Sequence, residues 1–119
     1  MGRMSRTKGK VGERELSRVL RKLYPQLKDQ IRRGQQYNGA DGSADVIGIP
    51  GLHIECKRTE KLNLYKALDQ AEDDCPKDQI PVVAHRRNLQ PWVLILPLDK
   101  LTEFVRVLAQ QETGEHDNV

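Results

Sequence analysis

Residues 44–58, with the sequence ADVIGIPGLHIECKR, constrain the fold of this chain more than any other stretch. Two short apolar runs rich in β-branched residues, at 46–49 and 52–54, are separated by Pro50 and Gly51, a pair that is typical of a turn. The stretch therefore predicts a β-hairpin around which the rest of the chain is organised.

The second strand of this hairpin has one apolar face and one charged face, because side chains alternate along a strand. Leu52 and Ile54 share the apolar face and belong to a core, whereas His53, Glu55 and Lys57 share the other face. A carboxylate and an ammonium group on a half-buried strand are costly to desolvate unless they meet each other, a metal ion or a ligand. We therefore expect a partner for Glu55 and Lys57.

A divalent metal ion is the partner with chemical consequences. Asp45 opens the first strand and Glu55 follows the apolar part of the second, so the folded hairpin can bring two carboxylates together. Such hard oxygen ligands suit Mg²⁺ or Mn²⁺, and Lys57 beside them can orient a water molecule or stabilise negative charge on a phosphate. This combination is the outline of a phosphodiester hydrolysis site.

The spacing of these residues also carries a resemblance to a known family. Asp45, followed after nine residues by Glu55, Cys56 and Lys57, resembles the signature of the PD-(D/E)XK nuclease superfamily. The segment KGKVGERELSRVL, at residues 8–20, is similar to the first helix of Holliday junction resolvases of the archaeal and phage type. Ala44 stands where the proline of the signature usually lies, a position at which the superfamily varies.

The resemblance implies a restriction-endonuclease-like core, Mg²⁺ as cofactor with Mn²⁺ able to substitute, and cleavage of DNA four-way junctions by a homodimer. It also implies a role for six residues. The metal ligands would be Glu13, Asp45, Glu55 and the main-chain carbonyl of Cys56, and the residues beside the attacking water would be Lys57 and Gln70.

Helical periodicity predicts a first amphipathic helix over residues 11–24, with Leu16 and Leu20 on its apolar face. Glu13 and Glu15 lie on opposite flanks of this face, and the geometry of a helix does not choose between them. The resemblance selects Glu13 as the acid of the metal site.

The remaining elements follow from apolar periodicity and from the turn residues between the periodic segments. They are a strand at 29–33, a loop at 34–43, a second helix that ends before Pro76, strands at 80–85 and 92–96, and a last helix with Asp99 as its N-cap. In the last strand, WVLIL, both faces are apolar, which indicates cover from both sides. We therefore predict an α/β protein with a central mixed β-sheet flanked by helices, in the order α-β-β-β-α-β-β-α.

The chain of 119 residues has the length of one domain. We divide it into a basic N-terminal arm at 1–10, a single nuclease domain at 11–109 and a polar C-terminal tail at 110–119. The longest apolar run is too short to span a bilayer and a signal peptide is missing, so we expect a cytoplasmic protein of a bacterial, archaeal or phage-infected cell, without membrane contact. Cys56 and Cys75 lack metal-binding spacing and are expected to be reduced thiols.

The formal net charge of +3 favours a polyanionic partner only weakly, but basic residues crowd the start of the chain. We expect these residues, together with the loop before the hairpin and its far end, to contact DNA phosphates. The predicted contacts are Lys8, Lys10, Arg14, Arg32, Arg33, Ser43 and Arg58. On charge alone, a solvated N-terminal arm explains the basic segment equally well.

Three alternatives to a resolvase stay open. A nuclease of the same superfamily that acts on flaps, nicks or duplex DNA would share every catalytic residue. A DNA-binding module without catalysis would bind DNA whether or not Mg²⁺ is present. Finally, Asp45, Glu55 and Lys57 could form a structural ion-pair network on a basic domain.

Overall fold

A computed structural model describes residues 2–34 and 44–112, with side chains at 9–34 and 44–111. The described residues form three α-helices and five strands, with a 3₁₀-helix after the first α-helix and another before the last. The α-helices are α1 (Gly2–Leu23), α2 (Leu64–Asp74) and α3 (Leu101–Glu112), the 3₁₀-helices are Pro25–Leu27 and Leu98–Lys100, and the strands are β1 (Arg32–Arg33), β2 (Val46–Ile47), β3 (Leu52–Arg58), β4 (Ile80–Arg86) and β5 (Val93–Ile95).

The five strands form one sheet in the order β1-β2-β3-β4-β5. Strands β3 and β4 are parallel, with α2 as the crossover between them, and the other neighbouring pairs are antiparallel. The predicted α/β class and mixed sheet are therefore confirmed. The observed order of elements differs from the predicted one by the two 3₁₀-helices.

Helices cover both faces of the sheet. Leu16 of α1 and Phe104 of α3 pack on one face, in a core that contains Ile54 and Val82. Ala67 and other small residues of α2 pack on the opposite face, where β4 contributes a neighbouring valine. The two helical layers bury most of β3 and β4, and the last residues of both strands are partly exposed.

Helix α1 begins at Gly2, nine residues before the predicted start at Val11, and it ends at Leu23, just before Pro25. The prediction missed the first turns because residues 2–10 carry no apolar stripe. Once the later turns are held against the sheet, each earlier residue adds a helical hydrogen bond without new nucleation. No helix within the described ranges is long and apolar enough to cross a membrane.

The predicted strand at 29–33 is wrong in its length, because only Arg32 and Arg33 pair with β2. The preceding residues turn instead, and the N–H groups of Gln30 and Ile31 both donate to the carbonyl of Leu27. The side chain of Ile31 is buried, so this turn is fixed by packing. A short apolar contact of this kind leaves no periodic signal in the sequence.

The predicted cover on both faces of the last strand is present only in part. Strand β5 lies at the edge of the sheet, and Val93 and Leu94 keep 48% and 44% of their surface exposed. Ile95 packs toward α2, and Trp92 and Leu96 pack toward α1 and α3. The helices do not extend over the whole of β5 at the edge of the sheet. The apolar pattern of a strand does not indicate whether the strand lies at an edge.

The predicted N-cap of the last helix is wrong as well. Asp99 lies inside the 3₁₀-helix, and α3 begins two residues later at Leu101. The second helix agrees better with its prediction, since α2 ends at Asp74, before Pro76. The side chain of Asn63 caps α2 by accepting a hydrogen bond from the N–H of Lys66 at 3.2 Å.

The predicted hairpin is confirmed by the antiparallel pairing of β2 and β3. Gly51, in its turn, has a φ of +87°, a conformation that side chains other than glycine rarely adopt. Strand β3 continues beyond its predicted apolar run to Arg58, because the parallel partner β4 extends to Arg86. The hairpin and β4 together hold Glu55 in a three-stranded centre.

Candidate functional site

The register of the hairpin brings Asp45 and Glu55 together. Val46 pairs with Ile54, and the N–H of Asp45 donates to the carbonyl of Ile54 at 2.9 Å. Because the N–H of Asp45 bonds to the carbonyl of Ile54 and its Oδ2 bonds to the N–H of Cys56, Asp45 lies beside the part of β3 that contains Glu55. The negative charge of Glu55 contributes to the raised pKa of Asp45, as expected for two carboxylates that lie near each other.

The edge of β3 next to Asp45 also presents a main-chain carbonyl. Oδ2 of Asp45 accepts a hydrogen bond from the N–H of Cys56 at 2.8 Å, at the point where β2 and β3 have ceased to pair. The N–H and C=O groups of one strand residue point to the same side. The carbonyl of Cys56, which is a predicted metal ligand, therefore points toward the side on which Asp45 lies.

Helix α1 approaches this edge of the sheet closely because Gly12 has no side chain. A Cβ atom at Gly12 would lie 2.6 Å from Cβ of Arg58 and 3.6 Å from Sγ of Cys56. The next residue, Glu13, is thereby carried to the site, where its Oε1 accepts a hydrogen bond from Nε of Arg33 at 3.0 Å. Arg33, a predicted DNA contact, is thus the ion-pair partner of a predicted metal ligand.

The pKa of Asp45 is raised from 3.8 to about 7, which shows that these charges act on one another. Burial is the largest cause, followed by the opposing hydrogen bond from the N–H of Cys56. The negative charges of Glu55 and Glu13 raise the pKa further, and the positive charge of Lys57 lowers it. The other three predicted charged residues of the site therefore lie within electrostatic range of Asp45.

Glu55 is buried between its neighbours on β3, with only 6% of its surface exposed. Its Oε2 lies 2.8 Å from Nε2 of His53, which is itself 1% exposed. Sequence reasoning placed both residues on one face and gave His53 no role. The spacing of two residues along a strand was the available signal, because it puts a hydrogen-bonding side chain beside the predicted ligand.

Lys57 and Gln70 meet at the solvent-facing end of the same face. Nζ of Lys57 donates a hydrogen bond to Oε1 of Gln70 at 3.5 Å, across the space between β3 and α2. The charged face of β3 is therefore a row of three side chains, with His53 at the buried end, Glu55 in the middle and Lys57 near solvent.

The other acid of the first helix has different partners. Oε1 of Glu15 contacts the guanidinium groups of both Arg58 and Arg86, at 3.6 Å from Nε of the former. Arg58 also donates to the side chain of Asn88 at 2.9 Å and lies 3.8 Å from Glu60. This network ties α1 to the ends of β3 and β4, so Arg58, a predicted DNA contact, has a structural role.

The remaining predicted DNA contacts are distributed over α1 and β1. Lys10, Arg14 and Arg32 are exposed. Lys8 belongs to α1, but its side chain lies outside the described residues, as does the whole of Ser43. These three exposed residues belong to α1 and β1, the elements that also carry Glu13 and its partner Arg33.

The site fits Mg²⁺ in its chemistry but is not arranged as a finished metal site. Within the described ranges, no group of three or more His, Cys, Asp and Glu side chains could hold a metal ion. Instead, Glu13 binds Arg33, Asp45 binds the N–H of Cys56, and Glu55 binds His53. Three carboxylates, two of which raise the pKa of the third, match the preference of Mg²⁺ or Mn²⁺ for hard oxygen ligands, and Glu13 would have to turn away from Arg33 to bind the ion.

The two cysteines are free thiols, as predicted. Burial raises the pKa of the Cys56 thiol to about 12, and the negative charges of Asp45 and Glu13 raise it further in the same direction. The thiol of Cys56 therefore stays protonated at neutral pH, and the contact of this residue with Asp45 is made by its main-chain N–H.

Comparisons of the chain with protein-family models, with curated proteins and with solved structures give no match. The functional conclusions therefore depend on the fold and on the geometry of the site.

Proposed function

We propose that the protein is a Mg²⁺-dependent endodeoxyribonuclease of the PD-(D/E)XK type that hydrolyses phosphodiester bonds in branched DNA as a Holliday junction resolvase. One observation carries the proposal. Asp45 is hydrogen-bonded to Ile54 and Cys56, the two neighbours of Glu55 on β3, and the charges of Glu55, Glu13 and Lys57 all act on its carboxyl group. An α/β fold with a mixed sheet between helical layers is compatible with a restriction-endonuclease-like core.

The carboxylates of Glu13, Asp45 and Glu55, with the carbonyl of Cys56, would hold the metal ion. When bound, Mg²⁺ would supply positive charge at the scissile phosphate and make a water molecule more acidic. These oxygens belong to residues on α1, next to the start of β2 and on β3, and the packing of these elements restricts their motion. Such fixed positions reduce the entropy that is lost when the reacting groups are brought together.

Lys57 would act on the attacking water or on a non-bridging phosphate oxygen. Its Nζ has hydrogen atoms to donate beyond the one directed at Gln70. An ammonium group at the solvent-facing end of the row can reach a phosphate that arrives from outside. Gln70 limits the positions of this ammonium group, which favours orientation over free rotation.

Arg33 would connect the metal site to the DNA backbone. It lies on β1 and is paired with Glu13 in the metal-free protein. When Glu13 binds a cation, Arg33 can exchange the carboxylate for a phosphate oxygen, which keeps its guanidinium group paired. Exposed Lys10, Arg14 and Arg32 would extend this contact along the backbone.

The proposed substrate sets the expected assembly. A four-way junction has two strands to be cut at symmetric positions, so two copies of the site are needed and we expect a homodimer. The same substrate implies action on chromosomal or phage DNA in the cytoplasm.

The arrangement of the acids favours one alternative, a structural ion-pair network. In this alternative, Glu13, Asp45 and Glu55 keep the partners that they have in the metal-free protein, and no metal ion binds. The two interpretations differ in one respect that can be measured, which is whether Mg²⁺ changes the behaviour of the protein on DNA.

Cleavage of a labelled four-way junction tests the proposal. Wild-type protein with Mg²⁺ should cut the junction in preference to a linear duplex of equal length at matched salt. Asp45→Asn, Glu55→Gln and Lys57→Ala should each lower the rate by about a hundredfold or more, the range for loss of one charge-stabilising group. The control Asp69→Asn, at an exposed position of α2, should cut at the wild-type rate.

Other outcomes would replace the proposal with one of its alternatives. Cleavage that survives all three substitutions would exclude this site. Equal rates on junction and duplex would indicate a nuclease of broader substrate range. Binding to DNA that ignores Mg²⁺ and produces no cleavage would indicate a DNA-binding module.

A further inference from the structure

His53 is a polar residue in one of the most buried positions of the protein. It lies on β3 with 1% of its surface exposed and pairs in register with Pro81 of β4. An aliphatic side chain would fill such a position without the need for a hydrogen-bonding partner. A histidine there is therefore explained by the hydrogen bond that it makes.

The partner of His53 is Glu55, and the direction of the hydrogen bond follows from chemistry. Nε2 of His53 and Oε2 of Glu55 are 2.8 Å apart. An ionised carboxylate can only accept hydrogen bonds, so Nε2 carries the hydrogen and donates it. This bond fixes one of the two carboxylate oxygens of Glu55.

The backbone that carries this pair has a neighbouring strand on each side. Strand β3 lies between β2 and β4, and Glu55 itself pairs in register with Val83, a fully buried residue. Small residues of α2, including Ala67 and Ala71, pack over the same face. Neither side chain can therefore move far without disturbing the core.

We infer that His53 is a positioning residue of the proposed metal site: its Nε2–H holds Oε2 of Glu55 and thereby directs the remaining oxygen, Oε1, toward Asp45. This inference rests on the proposed function. The side chain of Glu55 lies near enough to Asp45 for its charge to act on the Asp45 carboxyl group.

Positioning by His53 would affect metal affinity before it affects chemistry. A carboxylate with one oxygen already fixed loses less rotamer freedom when the other oxygen binds a cation. Residues that hydrogen-bond to metal ligands typically change metal affinity by about 10-fold to 100-fold when they are removed. His53 should therefore set the concentration of metal ion that the enzyme needs, with a smaller effect on the rate at saturation.

Two amide substitutions separate this role from a merely structural one. In His53→Gln, the side-chain NH₂ group occupies a position close to that of Nε2 and can donate to Glu55. In His53→Asn, the side chain is shorter by one methylene group and does not reach. Both variants bury a polar amide, so a general effect of polarity on folding is common to the two.

Titration with Mn²⁺ measures the affinity for the metal ion directly. The titration is monitored by calorimetry and by the electron paramagnetic resonance signal of the free ion. We expect His53→Asn to bind Mn²⁺ about 10-fold to 100-fold more weakly than wild type, and His53→Gln to remain within about threefold. Junction cleavage by His53→Asn should recover toward the wild-type rate as Mn²⁺ is raised. As a control, His85→Gln alters a histidine of β4 that bonds to the Thr59 carbonyl, and it should bind Mn²⁺ like wild type.

Equal Mn²⁺ affinity in His53→Asn and wild type would overturn the inference and leave the proposed function intact. A loss in His53→Gln as large as that in His53→Asn would also overturn it, because the hydrogen bond would then not be the cause. Absence of Mn²⁺ binding and of cleavage in the wild type would instead refute the proposed function. A thermal melt of each variant identifies any that does not fold, and His53→Phe, which keeps the ring and lacks the donor, then replaces His53→Asn.

Discussion

Asp45→Asn should stabilise the metal-free protein at pH 8, although it removes a residue that the enzyme needs. Burial and the nearby charges of Glu55 and Glu13 raise the pKa of Asp45 from 3.8 to about 7. Below pH 3.8 the carboxyl is protonated in both the folded and unfolded states. Between pH 3.8 and about 7 only the folded state retains the proton, so the free energy of unfolding falls as the pH rises, and it levels off above about 7.

The size of this effect follows from the pKa shift. A rise from 3.8 to about 7 corresponds to about 4 kcal/mol at 1.36 kcal/mol per pH unit. Asp45 keeps part of its surface in solvent, which screens its charge, so about 2 kcal/mol is the expected gain in Asp45→Asn at pH 8. The asparagine retains an oxygen that can accept the hydrogen bond from Cys56, so the substitution removes the charge and little else.

Urea denaturation at a series of pH values, in the presence of a chelator, measures the prediction. The free energy of unfolding of wild type should fall between pH 4 and pH 7 relative to that of Asp45→Asn, and the two curves should converge toward pH 4. Addition of Mg²⁺ at pH 8 should stabilise wild type more than the variant, because ion binding favours the folded state. Asp69→Asn, at an exposed position, serves as the matched control. An Asp45→Asn protein that is less stable than wild type at pH 8 would refute the electrostatic account of this site.

Three further substitutions or reactions test how the site is supported. Gly12→Ala should lower the free energy of unfolding by about 2 kcal/mol, because the added Cβ would lie 2.6 Å from Cβ of Arg58. Gly9→Ala, whose added Cβ would have no atom within 4 Å, should raise the free energy of unfolding by about 0.5–1 kcal/mol. Equal effects of the two substitutions in urea titrations would contradict the close approach of α1 to the sheet. Glu15→Gln should lower the free energy of unfolding by about 1 kcal/mol, because the ion pairs with Arg58 and Arg86 are lost, and it should leave the Mn²⁺ affinity unchanged. Weakened Mn²⁺ binding in calorimetry would show that Glu15 belongs to the site. Burial is the largest cause of the rise in the pKa of the Cys56 thiol from 9.0 to about 12. At pH 8 its thiolate population should therefore be about a thousandfold lower than that of an ordinary cysteine. Rapid reaction of Cys56 in the folded protein with a chromogenic disulfide reagent would contradict this.

The elements that the sequence predicted well are those that local interactions determine. The hairpin at 46–58 has its own apolar runs and its own turn, and α2 has both an apolar stripe and a proline after its end. The first turns of α1 and the short β1 lack such patterns. The first turns of α1 extend a helix that is held at its later turns, and β1 depends on pairing with the more distant β2, so the bounds of both were predicted wrongly.

The edge strand illustrates the same limit in the opposite direction. Residues 92–96 are apolar on both faces, which indicated a buried strand, yet Val93 and Leu94 are half exposed at the edge of the sheet. An apolar pattern reports which residues can be buried. The position of the strand in the sheet decides which of them are buried, and that position depends on the pairing of all five strands.

The candidate site divides in a similar way. The proximity of Asp45 and Glu55 follows from antiparallel pairing, which the hairpin sequence contains. The partners of the long side chains, such as Arg33 for Glu13 and His53 for Glu55, depend on rotamers that are set only when the helices pack on the sheet. Sequence patterns can therefore indicate which charges meet, whereas the hydrogen bonds that hold them require the folded structure.

The central claim is that three carboxylates, one on α1, one just before β2 and one on β3, bind the same divalent cation. Anomalous scattering from crystals soaked in Mn²⁺ measures this most directly. We predict a strong peak bonded to Glu13, Asp45, Glu55 and the carbonyl of Cys56, with Glu13 turned away from Arg33. A map without a peak at this position, in which Glu13 still contacts Arg33, would contradict the claim.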